Sequence, residues 1–139
     1  NMMGEDDLHP EGFHVSPPGM RVASMMAPSL LLAGDRTQLA LGSGGSKRIR
    51  TAMLQVISNM VDFGMSPRAA VEAPRLHWDG QHIQIEPGFL DPALAALTER
   101  WPVNRWAVQD VYFGGVHAAA PGGEGAGDPR RGGHAATVV

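Results

Sequence analysis

The chain has 139 residues, of which 43% are hydrophobic and 18% charged, and this length and composition favour one globular domain over a disordered chain. Its 11 basic and 14 acidic residues give a formal net charge of -3, which provides no basic surface for nucleic acid or an anionic membrane. The absence of cysteine excludes disulfides, thiolate catalysis and cysteine-ligated metal sites, and it leaves the compartment, periplasmic or cytoplasmic, undecided.

The first part of the chain is rich in residues that break regular structure. Residues 8–19 contain three prolines and two glycines, so we predict a loop over residues 1–20 and strands and helices over residues 21–139. The acidic run at residues 5–7 leads directly into this loop, and we expect further protein upstream. No charged segment followed by an apolar core opens the chain, so no signal peptide is expected in it. The apolar run at residues 25–33 is about half of the ~20 residues that a membrane helix needs, so no membrane span is expected.

Two strands joined by a turn are predicted next. Residues 21–33 are apolar on consecutive positions, which favours a strand whose central part lies between two layers. Gly34-Asp35-Arg36 is a turn signal, and residues 37–41 form the second strand.

Three helices follow from spacing and capping signals. Apolar residues recur at helical spacing after the second strand, at Ile49, Met53, Val56, Ile57, Met60 and Val61. This helix is predicted to end near Gly64. Ser66 as N-cap and Pro67 at the first position start a short second helix, which Pro74 stops, and Asp91 caps a third.

The remaining strands complete an α+β class. The alternation in residues 82–86 predicts an edge strand, and residues 103–109, 111–120 and 134–139 are further predicted strands. Residues 122–133 are predicted to be a glycine-rich loop. Because strands and helices do not alternate strictly, the pattern favours α+β over a doubly wound sheet.

The glycine segment between the second strand and the long helix is the most informative local feature. Gly42-Ser43-Gly44-Gly45-Ser46 allows a tight turn that directs backbone N–H groups outward at the positive end of a helix dipole. Such a turn binds an anion or a developing oxyanion. The same glycines are also compatible with a plain turn that has no ligand.

Other candidate residues carry weaker signals. Three consecutive carboxylates at residues 5–7 are compatible with an ammonium or cation site and equally with a solvated loop. The six histidines form no HxH or HxxxH pair, so neither a metal nor a cofactor is predicted. Asp128-Pro129-Arg130-Arg131 is compatible with a ligand clamp or a buried ion pair, and we favour the buried ion pair.

Taken in order, these segments resemble the C-terminal part of the small subunit of γ-glutamyltranspeptidases, which are N-terminal-nucleophile hydrolases. The resemblance covers residues 1–139. It is carried by five motifs, which are the acidic stretch at residues 1–7, Arg21-Val22-Ala23-Ser24-Met25-Met26-Ala27-Pro28-Ser29, Gly42-Ser43-Gly44-Gly45-Ser46, Asn59-Met60-Val61-Asp62-Phe63-Gly64-Met65 with Ala73-Pro74-Arg75-Leu76-His77, and Gly127-Asp128-Pro129-Arg130-Arg131-Gly132-Gly133-His134-Ala135.

The resemblance implies part of a four-layer αββα sandwich in an enzyme that cleaves or transfers γ-glutamyl or related acyl groups. The family's nucleophile is an N-terminal threonine made by autocleavage, and this chain holds no candidate for it. Carried over by position, Asp7 would bind the substrate ammonium group and Ser24 its carboxylate. Gly44 and Gly45 would supply the oxyanion-hole N–H groups. The implied partners are the large subunit, the N-terminal part of the small subunit and a small amide substrate.

Three departures from the family pattern bear on the substrate. Met25 stands where the family has a second serine, which removes a hydroxyl from the carboxylate pocket. An extra residue before the Asp pair leaves Glu5 as an alternative for the amino-binding position. The glycine segment also lacks the family's residue between Ser43 and Gly44. These departures favour a relative with a changed acyl group, and the alternative is a non-catalytic remnant that acts as a binding or interaction module, with a homo-oligomer possible for the isolated chain.

Overall fold

The computed structural model describes residues 8–12 and 14–137. The strands are β1 (Ser29–Ala33), β2 (Arg36–Gly44), β3 (Leu76–Trp78), β4 (Ile83–Ile85), β5 (Val103–Arg105), β6 (Gly115–Ala119) and β7 (Gly125–Ala126). The helices are α1 (Arg48–Val61), α2 (Pro67–Glu72) and α3 (Asp91–Thr98), with 3₁₀ turns at Val111–Phe113 and Pro129–Arg131. This order confirms the α+β class. No helix in the part of the chain that the structure describes is long and apolar enough to cross a bilayer.

The main core lies between a four-stranded sheet and two helices. The strands are arranged β1-β2-β6-β7, and each neighbouring pair is antiparallel. Leu39 of β2 and Val116 of β6 are fully buried on the inner face of this sheet. They belong to one apolar cluster with Val56 of α1 and Val71 of α2. The amphipathic spacing of α1 therefore buries Ile49, Met53 and Val56 as the sequence predicts, whereas Val61 at the end of the predicted stripe is exposed.

The other face of this sheet, which we call the outer face, is open in the described part of the chain. The register pairs Gly42 with His117 and Gly44 with Gly115, so these residues point away from the helices. A groove of about 1030 Å³ lies along this face. The sheet thus has one face covered by its own helices and one that offers a surface for another layer.

The second sheet has three strands in the order β3-β4-β5, and it packs against α3 around Ile83, Ile85 and Leu94. The prediction of an edge strand at residues 82–86 is wrong, because β4 lies in the centre. Its polar residue, Gln84, is buried and makes hydrogen bonds with Asp79, Asn104 and Trp106. Those partners satisfy the amide and allow a polar side chain in a central strand.

The capping signals locate the start of α2, whereas the prediction that Asp91 is the cap of the third helix is wrong by one residue. Ser66 is the N-cap of α2 and its hydroxyl accepts a hydrogen bond from the N–H of Ala69 at 3.3 Å, with Pro67 at the first position. The long helix ends at Val61, three residues before Gly64. Asp91 lies inside the first turn of α3, where its negative charge interacts favourably with the positive end of the helix dipole, and Leu90 is the N-cap.

Several strands are shorter than predicted. The first begins at Ser29, and residues 21–28 have no regular structure. Within the predicted strand 103–109 only β5 forms, and residues 111–120 open with a 3₁₀ turn before β6. The predicted loop at residues 122–133 contains β7. Residues 134–137 of the predicted last strand are irregular, and Thr137 is held by its hydroxyl, which donates to the Gly123 carbonyl at 2.7 Å.

Four buried charges connect the two sheets, and we call them the charge lock. Arg75 contacts Asp128 at 2.7 Å, Arg130 contacts Asp128 at 3.2 Å, and Arg130 contacts Glu86 at 2.5 Å. The four side chains are at most 2% exposed. This arrangement confirms the buried ion pair predicted for the Asp128 segment. Two positive and two negative charges balance inside the protein, which burial requires.

Asp128 is the member with the most partners. Besides both arginines it accepts hydrogen bonds from the N–H groups of Val116 and Arg130. Burial alone raises the pKa of Asp128, but the charge of Arg75 and these N–H donors outweigh it and hold the pKa below its ordinary value. A carboxylate with a depressed pKa contributes stability above its unfolded pKa and loses it as the pH falls through the folded pKa.

Replacing Asp128 should therefore destabilise the chain strongly. Asp128→Ala leaves two buried arginines with one carboxylate, and we expect the free energy of unfolding to fall by about 3–5 kcal/mol in urea titrations. Arg68→Ala is the matched control, because the Arg68–Glu72 pair is 79% and 46% exposed and its loss should cost about 0–1 kcal/mol. Equal losses of unfolding free energy in Asp128→Ala and Arg68→Ala would contradict this account.

The free energy of unfolding of the wild-type chain should also decline on acidification below about pH 4.

The edge strand β1 carries an apolar surface. Leu30 and Leu32 are 64% and 56% exposed on it, and in the described part of the chain β1 is the outermost strand on its side of the sheet. An exposed apolar edge strand promotes association. We expect the isolated chain to be poorly soluble or oligomeric. Light scattering that gives a compact monomer, together with no binding of a hydrophobic dye, would refute this expectation.

Candidate active site

The glycine turn lies where β2 ends and α1 begins. Gly45 has φ 134° and Ser46 has φ 52°, so two successive residues occupy positive φ. The carbonyls of Gly45 and Ser46 then accept hydrogen bonds from Arg48 and Ile49, each at 3.0 Å, and start the helix. The positive end of the α1 dipole therefore lies directly behind this turn, which is the electrostatic setting of an anion or oxyanion site.

A close backbone contact explains why glycine stands at position 45. A Cβ on Gly45 would lie 2.7 Å from the Cα of Gly114, which is closer than any side chain tolerates. Gly114 has φ 78°, and a Cβ on it would lie 3.0 Å from the carbonyl oxygen of Gly44. Gly44 itself is the last residue of β2 and pairs with Gly115. The backbone beside β6 thus determines the shape of the turn.

Ser24 and Met25 lie next to the start of α1, although they come from the segment before β1. They line a pocket of about 430 Å³ with Lys47 and Arg50, and we call it the cationic pocket. The Ser24 hydroxyl accepts a hydrogen bond from the N–H of Met26 at 3.1 Å. Met25 is half-buried against the main core. The structure therefore brings the predicted carboxylate-binding segment to the same end of the sheet as the glycine turn.

Sequence reasoning missed the basic residues in this region. Lys47 is the N-cap of α1, Arg48 and Arg50 are in its first turn, and no acidic residue stands there. Cations at a helix N-terminus oppose the dipole, so three of them in four positions require another reason. Arg48 is held against Tyr112, with its Nε donating to the Tyr112 carbonyl at 3.1 Å and its guanidinium 4.9 Å from the ring centroid. This unfavourable placement was readable in the sequence.

Two predicted site residues, Glu5 and Asp7, lie outside the described residues. Within the Asp128 segment, Arg130 points inward to the charge lock, whereas Arg131 is exposed and lies against Gly44 and Gly115 on the outer face. The two neighbouring arginines therefore have different surroundings. Of the two, Arg130 belongs to the charge lock.

Several known proteins resemble this chain in sequence. The family model described as Gamma-glutamyltranspeptidase matches residues 1–138. A glutathione hydrolase proenzyme from a Pseudomonas strain is 34% identical over 127 residues, covering 82% of this chain and 22% of the relative. An acylase ACY 1 proenzyme from another Pseudomonas strain is 38% identical over 100 residues, covering 72% and 18%.

A solved structure resembles this chain in fold. The gamma-glutamyltranspeptidase from Pseudomonas nitroreducens, in complex with L-DON, superposes with a TM-score of 0.72 at 29% identity and covers 89% of this chain and 67% of that chain. The fold of this chain is thus that of N-terminal-nucleophile hydrolases. The chain spans about a fifth of the length of the curated relatives it matches. It belongs to the gamma-glutamyltranspeptidase family.

Proposed function

We propose that this chain forms one wall of the active site of an amide hydrolase or acyltransferase that acts on γ-glutamyl or related acyl groups. In this proposal a threonine on another segment of the enzyme attacks the amide carbonyl, with its own amino group as base. The wall supplies oxyanion stabilisation and substrate binding. Family membership and the glycine turn at the positive end of α1 support this role.

The observation that carries the proposal is the backbone contact between Gly45 and Gly114. It holds a turn with two positive-φ residues immediately before the helix, so N–H groups are oriented before substrate arrives. Preorganised donors act on charge that develops in the transition state and need no reorganisation at that moment. Gly44 and Gly45 are the proposed donors of the oxyanion hole.

The cationic pocket is the proposed site of the acyl group. Ser24 would bind a carboxylate of that group, and Lys47 and Arg50 give the pocket a positive field. Met25 replaces a hydroxyl by an apolar thioether, which favours an acyl chain with an apolar stem over one that needs a second hydroxyl donor. Asp7, or Glu5 in the alternative register, would receive an ammonium group. A glutathione hydrolase and an acylase are both among the relatives, which agrees with this range of acyl groups.

The partners in this proposal are the large subunit and the N-terminal part of the small subunit. The relatives are named as proenzymes, and the outer face of the four-stranded sheet offers the surface for another layer of the sandwich. That layer would bring the nucleophile opposite the glycine turn.

The isolated chain should have no amidase or transferase activity, because covalent catalysis without the nucleophile leaves only binding groups. The measurement is release of 4-nitroaniline from a γ-glutamyl anilide by the pure 139-residue chain. Activity above the buffer rate that purifies with the chain would disprove this assignment.

A side chain at position 45 should impair catalysis in the complete mature enzyme. Gly45→Ala crowds Gly114 and rotates the donor, and the loss of one oxyanion donor typically lowers kcat by about 10²–10³. KM should change far less, because the ground-state carbonyl is held less tightly than the oxyanion. Steady-state kinetics on an acyl anilide provide the measurement.

Gly64→Ala is the matched control for the Gly45 variant. Gly64 also has a positive φ, of 65°, but nothing lies within 4 Å of its Cβ position. The control therefore introduces backbone strain without a clash and should keep kcat. A Gly45→Ala enzyme that matures and retains wild-type kcat rules out the oxyanion assignment. A mature wild-type enzyme that cleaves no acyl anilide would instead support the non-catalytic alternative.

A further inference from the structure

The glycine turn rests against a segment that follows the second sheet in the chain. Gly114 is buried and ends the 3₁₀ turn at Val111–Phe113, and its Cα lies 2.7 Å from the position that a Cβ on Gly45 would occupy. A Cβ on Gly114 would lie 3.4 Å from the Cβ of Ala52 in α1. The backbone at position 114 is therefore enclosed between β2 and α1. Because such packing leaves little free space, a shift of the 3₁₀ turn would also move the glycine turn.

Aromatic contacts connect this 3₁₀ turn to Trp106. The ring of Tyr112, in the middle of the turn, stacks on the indole with centroids 5.0 Å apart and planes inclined by 24°. Phe113 is buried and meets the same indole edge to face at 5.4 Å. Stacked and edge-to-face rings are the arrangements that aromatic pairs prefer. Trp106 therefore supports two of the three residues of the turn with a defined geometry.

Trp106 is itself held at two points of the second sheet. Its backbone N–H donates to the Ile85 carbonyl at 2.8 Å, just after β5 ends. Its indole N–H donates to Oε1 of Gln84 at 2.8 Å. Gln84 is buried in the central strand β4, so the acceptor that orients the indole belongs to the interior of the sheet.

The direction of the Gln84 amide is set by an anion on its other side. Oδ2 of Asp79 accepts a hydrogen bond from Nε2 of Gln84 at 2.7 Å, and Oδ1 accepts from two backbone N–H groups, those of Gln81 and His82. The N–H groups of His82 and Gln81, together with the Gln84 amide, lower the pKa of Asp79 to about 2. An ionised carboxylate only accepts hydrogen bonds, so the amide nitrogen faces Asp79 and the amide oxygen faces Trp106.

We propose that Trp106 is a positioning residue for the reaction. Its indole, oriented by Gln84, fixes the 3₁₀ turn at Val111–Phe113, and that turn fixes the oxyanion donors of the glycine turn through Gly114. This inference rests on the proposed function. Trp106 contacts neither the substrate nor the reacting atoms in this scheme. It acts on the transition state through the turn and leaves binding of the acyl group to the cationic pocket.

The test is steady-state kinetics of the complete mature enzyme on an acyl 4-nitroanilide. Trp106→Leu removes both the flat ring and the N–H donor. It should lower kcat by about tenfold to a hundredfold, because a small misplacement of catalytic groups has effects of that size. KM should stay within about twofold of the wild-type value, since the oxyanion donors hold the ground-state carbonyl less tightly than the transition state.

Two further variants show whether the ring itself matters. Trp106→Phe keeps a ring against Tyr112 and loses the hydrogen bond to Gln84, so it should recover part of the kcat that Trp106→Leu loses. Trp101→Leu is the matched control, because Trp101 follows α3 and is 44% exposed. This control should keep the wild-type kcat and KM.

A double-mutant cycle with Gly45→Ala tests whether Trp106 acts through the glycine turn. In the Gly45→Ala enzyme the donor is already displaced, so Trp106→Leu should lower kcat by less than about twofold further. Effects of the two substitutions that multiply would show that Trp106 acts by another route and would overturn the inference.

The remaining outcomes separate this inference from the proposed function. If the mature wild-type enzyme cleaves no acyl anilide, the proposed function fails and the inference fails with it. If the wild-type enzyme is active and both Trp106 variants keep its kcat, the inference alone is overturned. If neither variant is processed, circular dichroism of the uncleaved chains decides. A wild-type spectrum supports a role in the chemistry, whereas an unfolded chain makes Trp106 a structural residue and overturns the inference.

Discussion

The charge lock is the constraint on which the rest of this structure depends. Arg75 and Glu86 flank the β3–β4 hairpin of the small sheet, whereas Asp128 also accepts the N–H of Val116 in β6 of the main sheet. Buried charges of opposite sign must meet with good geometry, because each one alone would be too costly to desolvate. The lock therefore joins the two sheets at one relative position. It also anchors the 3₁₀ turn from which Arg131 reaches the candidate active site.

The parts of the fold that could be predicted from the sequence are those determined by neighbouring residues. Ser66 and Pro67 specify a helix start through the serine hydroxyl and the proline ring, and the helical spacing of apolar residues in α1 specifies its buried face. The central position of β4 could not be predicted, because a glutamine in a strand normally faces solvent. In the structure, the side chains of Asn104 in β5 and of Trp106, which follows it, donate hydrogen bonds to the buried Gln84 amide. Long-range partners change the meaning of a local pattern.

The candidate site also combines features that neighbouring residues determine with features that distant residues determine. Glycine at position 45 was readable as a turn at a helix start, but the contact with Gly114 that requires it comes from a distant segment. The basic first turn of α1 was visible in the sequence and contradicts the ordinary preference for acidic residues there. The different surroundings of Arg130 and Arg131 could not be read from adjacent identical letters. A 3₁₀ turn has three residues per turn, so neighbouring side chains point about 120° apart.

The order in which a ribosome delivers the charge lock has a consequence for folding. Arg75 and Glu86 emerge 42 to 55 residues before Asp128 and Arg130, and the helices and most of the main sheet have been made by then. Until Asp128 and Arg130 are made, Arg75 and Glu86 at the ends of the β3–β4 hairpin lack these partners. We therefore expect the small sheet to dock late, and we expect the surface around the glycine turn to take its final shape only after the segment near residue 130 has been made.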